Sequence, residues 1–196
     1  MAGGNNAAFI ANSKEFIRTH QLMISPQGIG SQGLNAGLMD IDLVSIDPKN
    51  AQFIRLENYT MRPPKDKEAT SVKAFYLPAI NDNTSTLAIG PGASYIFTAD
   101  LSGCLFAAYG ASADNITVEH VNVRNAAVAV VPILPRANAI IAAAHAFYKI
   151  LSPVAVPGSD PNHVKQYAAN SSVVGVKIGG AWNFWYKPSM TTISML

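Results

Sequence analysis

Short stretches in which apolar and polar residues alternate recur along most of this chain, and they constrain its fold more than any other feature. Such alternation is typical of β-strands that bury one face. Clusters of turn-forming residues separate the stretches, for example at Arg62–Pro64 and Asn81–Asn83. Strands are predicted over residues 38–46, 52–59, 72–77, 94–98, 105–109 and 116–123, and the last two are predicted to form a hairpin.

The rest of the chain predicts helices and two closing strands. Residues 173–186 carry Val, Ile, Trp, Phe and Tyr around glycines, which favours two strands joined by a tight turn. Helices are predicted from Ser13 to about Leu22 and from Ala137 to Ile150, and a short one around His163–Ala168. Residues 1–12 are expected to be a flexible start, and 13–196 to form a single domain. The predicted fold class is α+β, an antiparallel β-sandwich flanked by helices.

Composition and charge exclude several classes of protein. Hydrophobic residues make up 49% of the 196-residue chain and charged residues 13%, which is typical of a globular domain. A net charge of +2 is too small for the basic surface that nucleic acid requires. The most apolar segment is interrupted by Pro132, Pro135 and Arg136, so no membrane span is expected. The start of the chain does not resemble a cleaved secretory signal.

Neither a cofactor nor a metal ion is predicted. Residues 28–33 match the dinucleotide pattern G-x-G-x-x-G, but a strand-like stretch follows where the phosphate-binding helix should begin. The four histidines and the single cysteine have no short spacing of the kind that preforms a zinc site. The single cysteine also rules out an intramolecular disulfide. The chain is expected to be a monomer.

The region around Cys104 predicts nucleophilic chemistry. A thiol becomes a nucleophile when a base lies beside it, and a hairpin can bring His120 next to Cys104. Gly103 allows a sharp turn, so that backbone N–H groups near Ser102 and Gly103 point at a developing oxyanion. Thr98 can accept a hydrogen bond from the far nitrogen of the histidine and orient its ring. The alternative is that Cys104 is only a small core residue, as single apolar-strand cysteines usually are.

The same region resembles a family of bacterial toxins. The segments Lys73–Pro78, Leu87–Gly92 and Tyr95–Cys104, followed by His120, are similar to the catalytic domains of glutamine-deamidating toxins. These are the cytotoxic necrotizing factors and, closer in size and in the upstream threonine, the Burkholderia lethal factor. The Leu-Ser-Gly-Cys tetrapeptide with a downstream histidine carries the resemblance, which covers about a quarter of the chain. Bacterial chemoreceptor glutamine deamidases share the Thr, Cys and His arrangement.

The resemblance implies roles for individual residues. It makes Cys104 the nucleophile, His120 the general base and acid, and Thr98 the residue that orients His120. In the necrotizing factors a backbone carbonyl fills this third role. A tyrosine lines the site of the lethal factor, and here Tyr148, Tyr167 or neither corresponds to it. The family's fold is a β-sandwich flanked by helices, as the alternation of residues also predicts.

The resemblance also implies a biological role. It implies a secreted or injected effector that deamidates one glutamine of a host protein, a GTPase or translation-factor type of target, in the host cytosol. A chain without disulfides suits that reducing compartment.

Two alternatives remain open. A transglutaminase would use the same site with an amine as acceptor. A catalytically silent binding module would have an inert Cys104 and an exposed patch formed by Trp182, Phe184 and Trp185.

Overall fold

The computed structural model describes residues 4–23, 34–47, 50–80, 83–122, 133–168, 170–187 and 192–196. Its helices are α1 (Asn5–Ala11), α2 (Ser13–Thr19) and α3 (Ile133–Ala142). Its strands are β1 (Gln21–Met23), β2 (Gly37–Asp47), β3 (Asn50–Asn58), β4 (Val72–Leu77), β5 (Asn83–Ile89), β6 (Tyr95–Thr98), β7 (Leu105–Ser112), β8 (Asn115–Asn122), β9 (Phe147–Ser152), β10 (Val164–Gln166), β11 (Val173–Ile178), β12 (Ala181–Tyr186) and β13 (Ser194–Met195). Two single turns of 3-10 helix lie at Tyr59–Met61 and Pro64–Asp66. The glycine-rich segment 28–33 and Asn81–Asp82 lie outside the described residues.

The strands form two sheets. The larger has eight strands in the order β1-β3-β2-β4-β6-β11-β12-β13, and the smaller has five in the order β10-β9-β7-β8-β5. Most neighbours are antiparallel, but β1 with β3, β4 with β6, and β9 with β10 are parallel. The α+β class is confirmed, and the sheets are predominantly rather than wholly antiparallel.

Three layers of apolar side chains hold the sheets and helices together. Between the sheets, Phe106 of the smaller sheet packs on Phe184 of the larger one, with ring centroids 5.3 Å apart. On the outer face of the larger sheet, Phe9 of α1 packs against Phe97 at 5.4 Å. On the outer face of the smaller sheet, buried residues of α3 pack against Leu105. The result is the predicted sandwich with helices on its outside.

The structure confirms the six predicted strands to within three residues at their ends, together with the hairpin of β7 and β8. It also confirms the two closing strands, which turn at Gly179 and Gly180, both with positive φ. Strand β5 was not predicted. Within the described residues, no helix is both long enough and apolar enough to cross a membrane.

All three predicted helices are wrong in part or entirely. The helix predicted from Ser13 to about Leu22 ends at Thr19, and residues 21–23 form β1, which pairs with β3. The helix predicted over Ala137–Ile150 ends at Ala142, and residues 147–152 form β9, which pairs with β7. Residues 164–166, predicted as part of a short helix, form β10 and pair with β9. In each segment, hydrogen bonding to another strand outweighs the local helical pattern.

Residues 1–12, expected as a flexible start, include helix α1, which a buried asparagine ties to the larger sheet. The amide nitrogen of Asn6 donates to Asp42 Oδ1 at 2.6 Å and to the Thr70 carbonyl at 2.7 Å. Its amide oxygen accepts the Leu43 N–H at 2.8 Å. One side chain thus satisfies three buried or partly buried polar groups of two neighbouring segments.

Replacing Asn6 with alanine is expected to destabilise the protein by about 3 kcal/mol, because it leaves buried polar groups without partners. Urea unfolding measures the change. The control is Asn138→Ala on the exposed side of α3, expected to change stability by no more than about 0.5 kcal/mol. Equal effects of the two substitutions would contradict the anchoring role of Asn6.

Candidate active site

The segment that carries Cys104 crosses from one sheet to the other. Thr98 ends β6 in the larger sheet, and Leu105 begins β7 in the smaller one. Between them, the backbone of Leu101 forms a bridge with Ser171. Gly103 has a φ of +82°, a left-handed conformation that a residue with a β-carbon adopts only at a cost. This turn brings Cys104 onto the start of β7.

Cys104 lies directly beneath the surface at this turn. Ser102 and Gly103 are exposed, whereas Cys104 is 4% exposed. Its Sγ lies 3.3 Å from Asn122 Oδ1, a buried contact, and 3.9 Å from the Ser102 carbonyl oxygen. Leu105 pairs with Val121 in the β7–β8 ladder, so Cys104 stands opposite Asn122 when this register is extended by one residue. The thiol therefore faces the layer between the sheets.

His120 projects from the same face of the smaller sheet as Asn122, because alternate residues of a strand share a face. Its direct cross-strand neighbours are Phe106 on β7 and Ser85 on β5. Cys104 is its diagonal neighbour, and diagonal neighbours lie about 7–8 Å apart, within reach of long side chains. The structure thus places Cys104 and His120 on one face.

The imidazole of His120 is fully buried. Neither Nδ1 nor Nε2 has a hydrogen-bond partner among the described residues. Burial lowers the pKa of His120 from 6.5 to about 4, because the charged form is poorly solvated there. At neutral pH the ring is uncharged and has a lone pair on one nitrogen, although its lowered pKa makes it a weaker base than an exposed histidine.

Thr98 points into the same layer from the larger sheet, but its hydroxyl oxygen accepts the Val173 N–H at 3.0 Å. It forms no hydrogen bond with His120 in this structure, since both ring nitrogens lack one. Cys104 likewise forms none with the ring. The two hydrogen bonds that a complete Thr, His and Cys arrangement requires are therefore not made in this conformation, and the predicted roles stay predictions.

Two residues that contact Cys104 were not assigned a role from the sequence. Asn122 contacts the thiol, and its place two residues after His120 on a predicted strand could have indicated the shared face. The buried hydroxyl of Tyr167 donates to the Cys104 carbonyl oxygen at 2.7 Å. Tyr148, the other tyrosine considered, instead stacks on His163 on the outer side of the smaller sheet, with ring centroids 4.6 Å apart.

Tyr167→Phe is expected to lower the free energy of unfolding by about 1–2 kcal/mol, because the Cys104 carbonyl loses its buried donor. Chemical denaturation measures the loss. Tyr148→Phe, which removes a hydroxyl from a half-buried ring, is the matched control and should cost less than about 0.5 kcal/mol. A neutral Tyr167→Phe would mean that this hydrogen bond does not hold the cysteine turn.

The aromatic patch expected of a binding module is not exposed. Trp182, Phe184 and Trp185 are 3%, 1% and 6% exposed, respectively. Trp182 and Phe184 belong to the layer between the sheets, and Trp185 to the layer beneath α1 and α2. These side chains stabilise the core and offer no docking surface.

Fold and site together define an α+β protein in which a cysteine and a histidine lie between two sheets, and the histidine ring has no hydrogen-bond partner in the part of the chain that the structure describes. No protein-family model matches the sequence, and no curated protein is similar to it in sequence. Among solved structures, the fold is similar to the crystal structure of the C-terminal domain of CNFy from Yersinia pseudotuberculosis. The two share 8% identity and a TM-score of 0.44, over 97% of this chain and 94% of the other. A likeness at this level establishes neither a family nor a site residue.

Proposed function

We propose that this protein is a protein-glutamine deamidase with Cys104 as nucleophile and His120 as general base and acid. One observation carries the proposal: the uncharged, unpaired imidazole of His120 shares a face with the Cys104 thiol, one diagonal step away on the paired strands. A buried histidine without partners costs stability, and such costs concentrate at functional sites. The Leu-Ser-Gly-Cys motif and its toxin resemblance supply the reaction class.

The reaction begins with proton transfer from the Cys104 thiol to His120, as sulfur attacks the amide carbon of a substrate glutamine. The tetrahedral oxyanion is stabilised by backbone N–H groups around Ser102, Gly103 and Cys104. Collapse breaks the carbon–nitrogen bond, and His120 returns the proton to the departing ammonia. Water then attacks the thioester with His120 as base, which yields glutamate and regenerates the thiol. The net reaction consumes one water and releases one ammonia.

An uncharged His120 favours a resting pair of thiol and neutral imidazole rather than a preformed ion pair. The buried layer would penalise two separated charges unless they are in direct contact. Proton transfer therefore accompanies attack on the substrate. The reaction also requires Cys104 to become more accessible than it is here, at 4% exposure.

The proposed substrate is a glutamine of a host protein, and the proposed place of action is the host cytosol after secretion or injection. Converting glutamine to glutamate adds a negative charge and removes an amide donor. In a GTPase that uses a glutamine to orient the attacking water, this change would disable hydrolysis. A single modification of this kind blocks the GTPase cycle of a signalling or translation factor.

The test is peptide mass spectrometry of host-cell lysate incubated with the protein in heavy-oxygen water. Deamidation predicts glutamine-to-glutamate conversion with one heavy oxygen incorporated at the same site. A parallel reaction with a labelled primary amine reports transglutamination instead. Absence of any modified glutamine above a mock incubation, in lysates from several host types, would contradict the proposed function.

A further inference from the structure

Ser85 carries a second unpaired polar group beside His120. It lies on β5, where its Cα pairs directly with that of His120 in the antiparallel ladder with β8. Directly paired residues of antiparallel strands project from the same face, with Cβ atoms about 4.5–5.5 Å apart. The serine hydroxyl and the imidazole are therefore nearest neighbours in the layer between the sheets.

Both groups are buried and neither is satisfied. Ser85 is 4% exposed and His120 is fully buried. The Ser85 hydroxyl and both ring nitrogens lack hydrogen-bond partners among the described residues. An unsatisfied buried polar group destabilises the fold, so two adjacent ones are an unusual arrangement unless they serve each other or a reaction.

A hydrogen bond between the two side chains would give each of them one partner. A serine hydroxyl both accepts and donates, and a neutral imidazole has one nitrogen of each kind. The hydroxyl of Thr98, by contrast, already accepts the Val173 N–H. Within the described part of the chain, the Ser85 hydroxyl therefore lies beside His120 with no hydrogen-bond partner of its own.

We propose that Ser85 is a positioning residue that holds the His120 ring by accepting the N–H of the nitrogen turned away from Cys104. This inference rests on the proposed function. The contact fixes the tautomer of the ring, so that the other nitrogen presents a lone pair toward the thiol. Ser85 touches neither the substrate nor the reacting atoms, and it acts through His120 alone.

Ser85→Ala is expected to change both stability and reactivity. It removes the acceptor of the buried His120 N–H without leaving a large cavity, so stability should fall modestly, as chemical denaturation measures. The histidine loses its orientation, so alkylation of Cys104 by iodoacetamide should slow about tenfold to a hundredfold. Ser85→Thr keeps the hydroxyl and should recover most of the wild-type rate. Thr86→Ala removes an exposed hydroxyl from the next position of the same strand and is the matched control.

The deciding measurement is the ring-nitrogen NMR spectrum of His120 at neutral pH in the wild type and these three variants. One tautomer is expected in the wild type, Ser85→Thr and Thr86→Ala, and a mixture of two in Ser85→Ala. The same tautomer and the same alkylation rate in Ser85→Ala as in the wild type would overturn the inference, even in an active deamidase. A tautomer change in a chain that deamidates no protein would support the Ser85 contact and contradict only the proposed function.

Discussion

Cys104→Ser is expected to lower the rate of glutamine deamidation by at least about a thousandfold. Serine keeps the shape of the side chain and a donor for the Asn122 amide oxygen, which lies 3.3 Å from Sγ. A hydroxyl is a far weaker nucleophile than a thiol when its base is an uncharged imidazole. The loss should therefore come from chemistry and not from misfolding.

The measurement is the initial rate of glutamate formation in the peptide that the lysate experiment identifies, with wild type and variant compared at equal concentration. Thermal unfolding of both proteins is the control, and the two midpoints should agree closely. A Cys104→Ser protein that retains more than about a tenth of the activity would contradict the nucleophile assignment.

His120→Gln is expected to reduce deamidation by about a hundredfold to ten-thousandfold, the usual contribution of a general base. Glutamine is similar in size and uncharged, so it fills the buried space without accepting a proton. The effect should appear in kcat, because His120 acts on the transferred proton rather than on substrate binding. An equal loss confined to KM would contradict the role of His120 as the base.

The same substitution should change the pH dependence of stability. Burial lowers the pKa of His120 in the folded state to about 4, from 6.5 in the unfolded chain, so the unfolded state binds more protons between these values. Stability should fall as pH decreases through this window, by about 3 kcal/mol from this one residue. Urea unfolding of wild type and His120→Gln at neutral pH and near pH 4 measures it. Parallel losses in the two proteins would show that His120 does not titrate as a buried group.

The alternation of apolar and polar residues correctly predicted those elements whose structure depends on residues close together in the sequence. The alternation in β2, β4 and the β7–β8 hairpin follows from one buried face per strand, so these elements could be predicted from sequence. The C-terminal end of the helix predicted over Ala137–Ile150 could not be located from the sequence, because the apolar spacing at 147–151 also fits a helix. Pairing of Phe147–Ser152 with β7, a contact distant in sequence, decides in favour of a strand.

Some residues of the candidate site could likewise be predicted from the sequence, and others could not. The Leu-Ser-Gly-Cys motif marks Cys104, and the hairpin places His120 on a strand paired with its own. Ser85 lies beside His120 only because of the register of β5 on β8. Tyr167 contacts Cys104 only through a hydrogen bond from the segment after β10. Neither the register nor the hydrogen bond has a local sequence signal.

The alkylation rate of Cys104 by iodoacetamide in the folded protein, measured by intact mass for wild type and His120→Gln, tests most directly whether Cys104 is a nucleophile activated by His120. Wild-type Cys104 is expected to react well below the denaturant concentration that unfolds the protein, and about tenfold or more faster than in His120→Gln. A thiol that reacts only upon global unfolding, at the same rate in both proteins, would mean that Cys104 is a core residue and not a nucleophile.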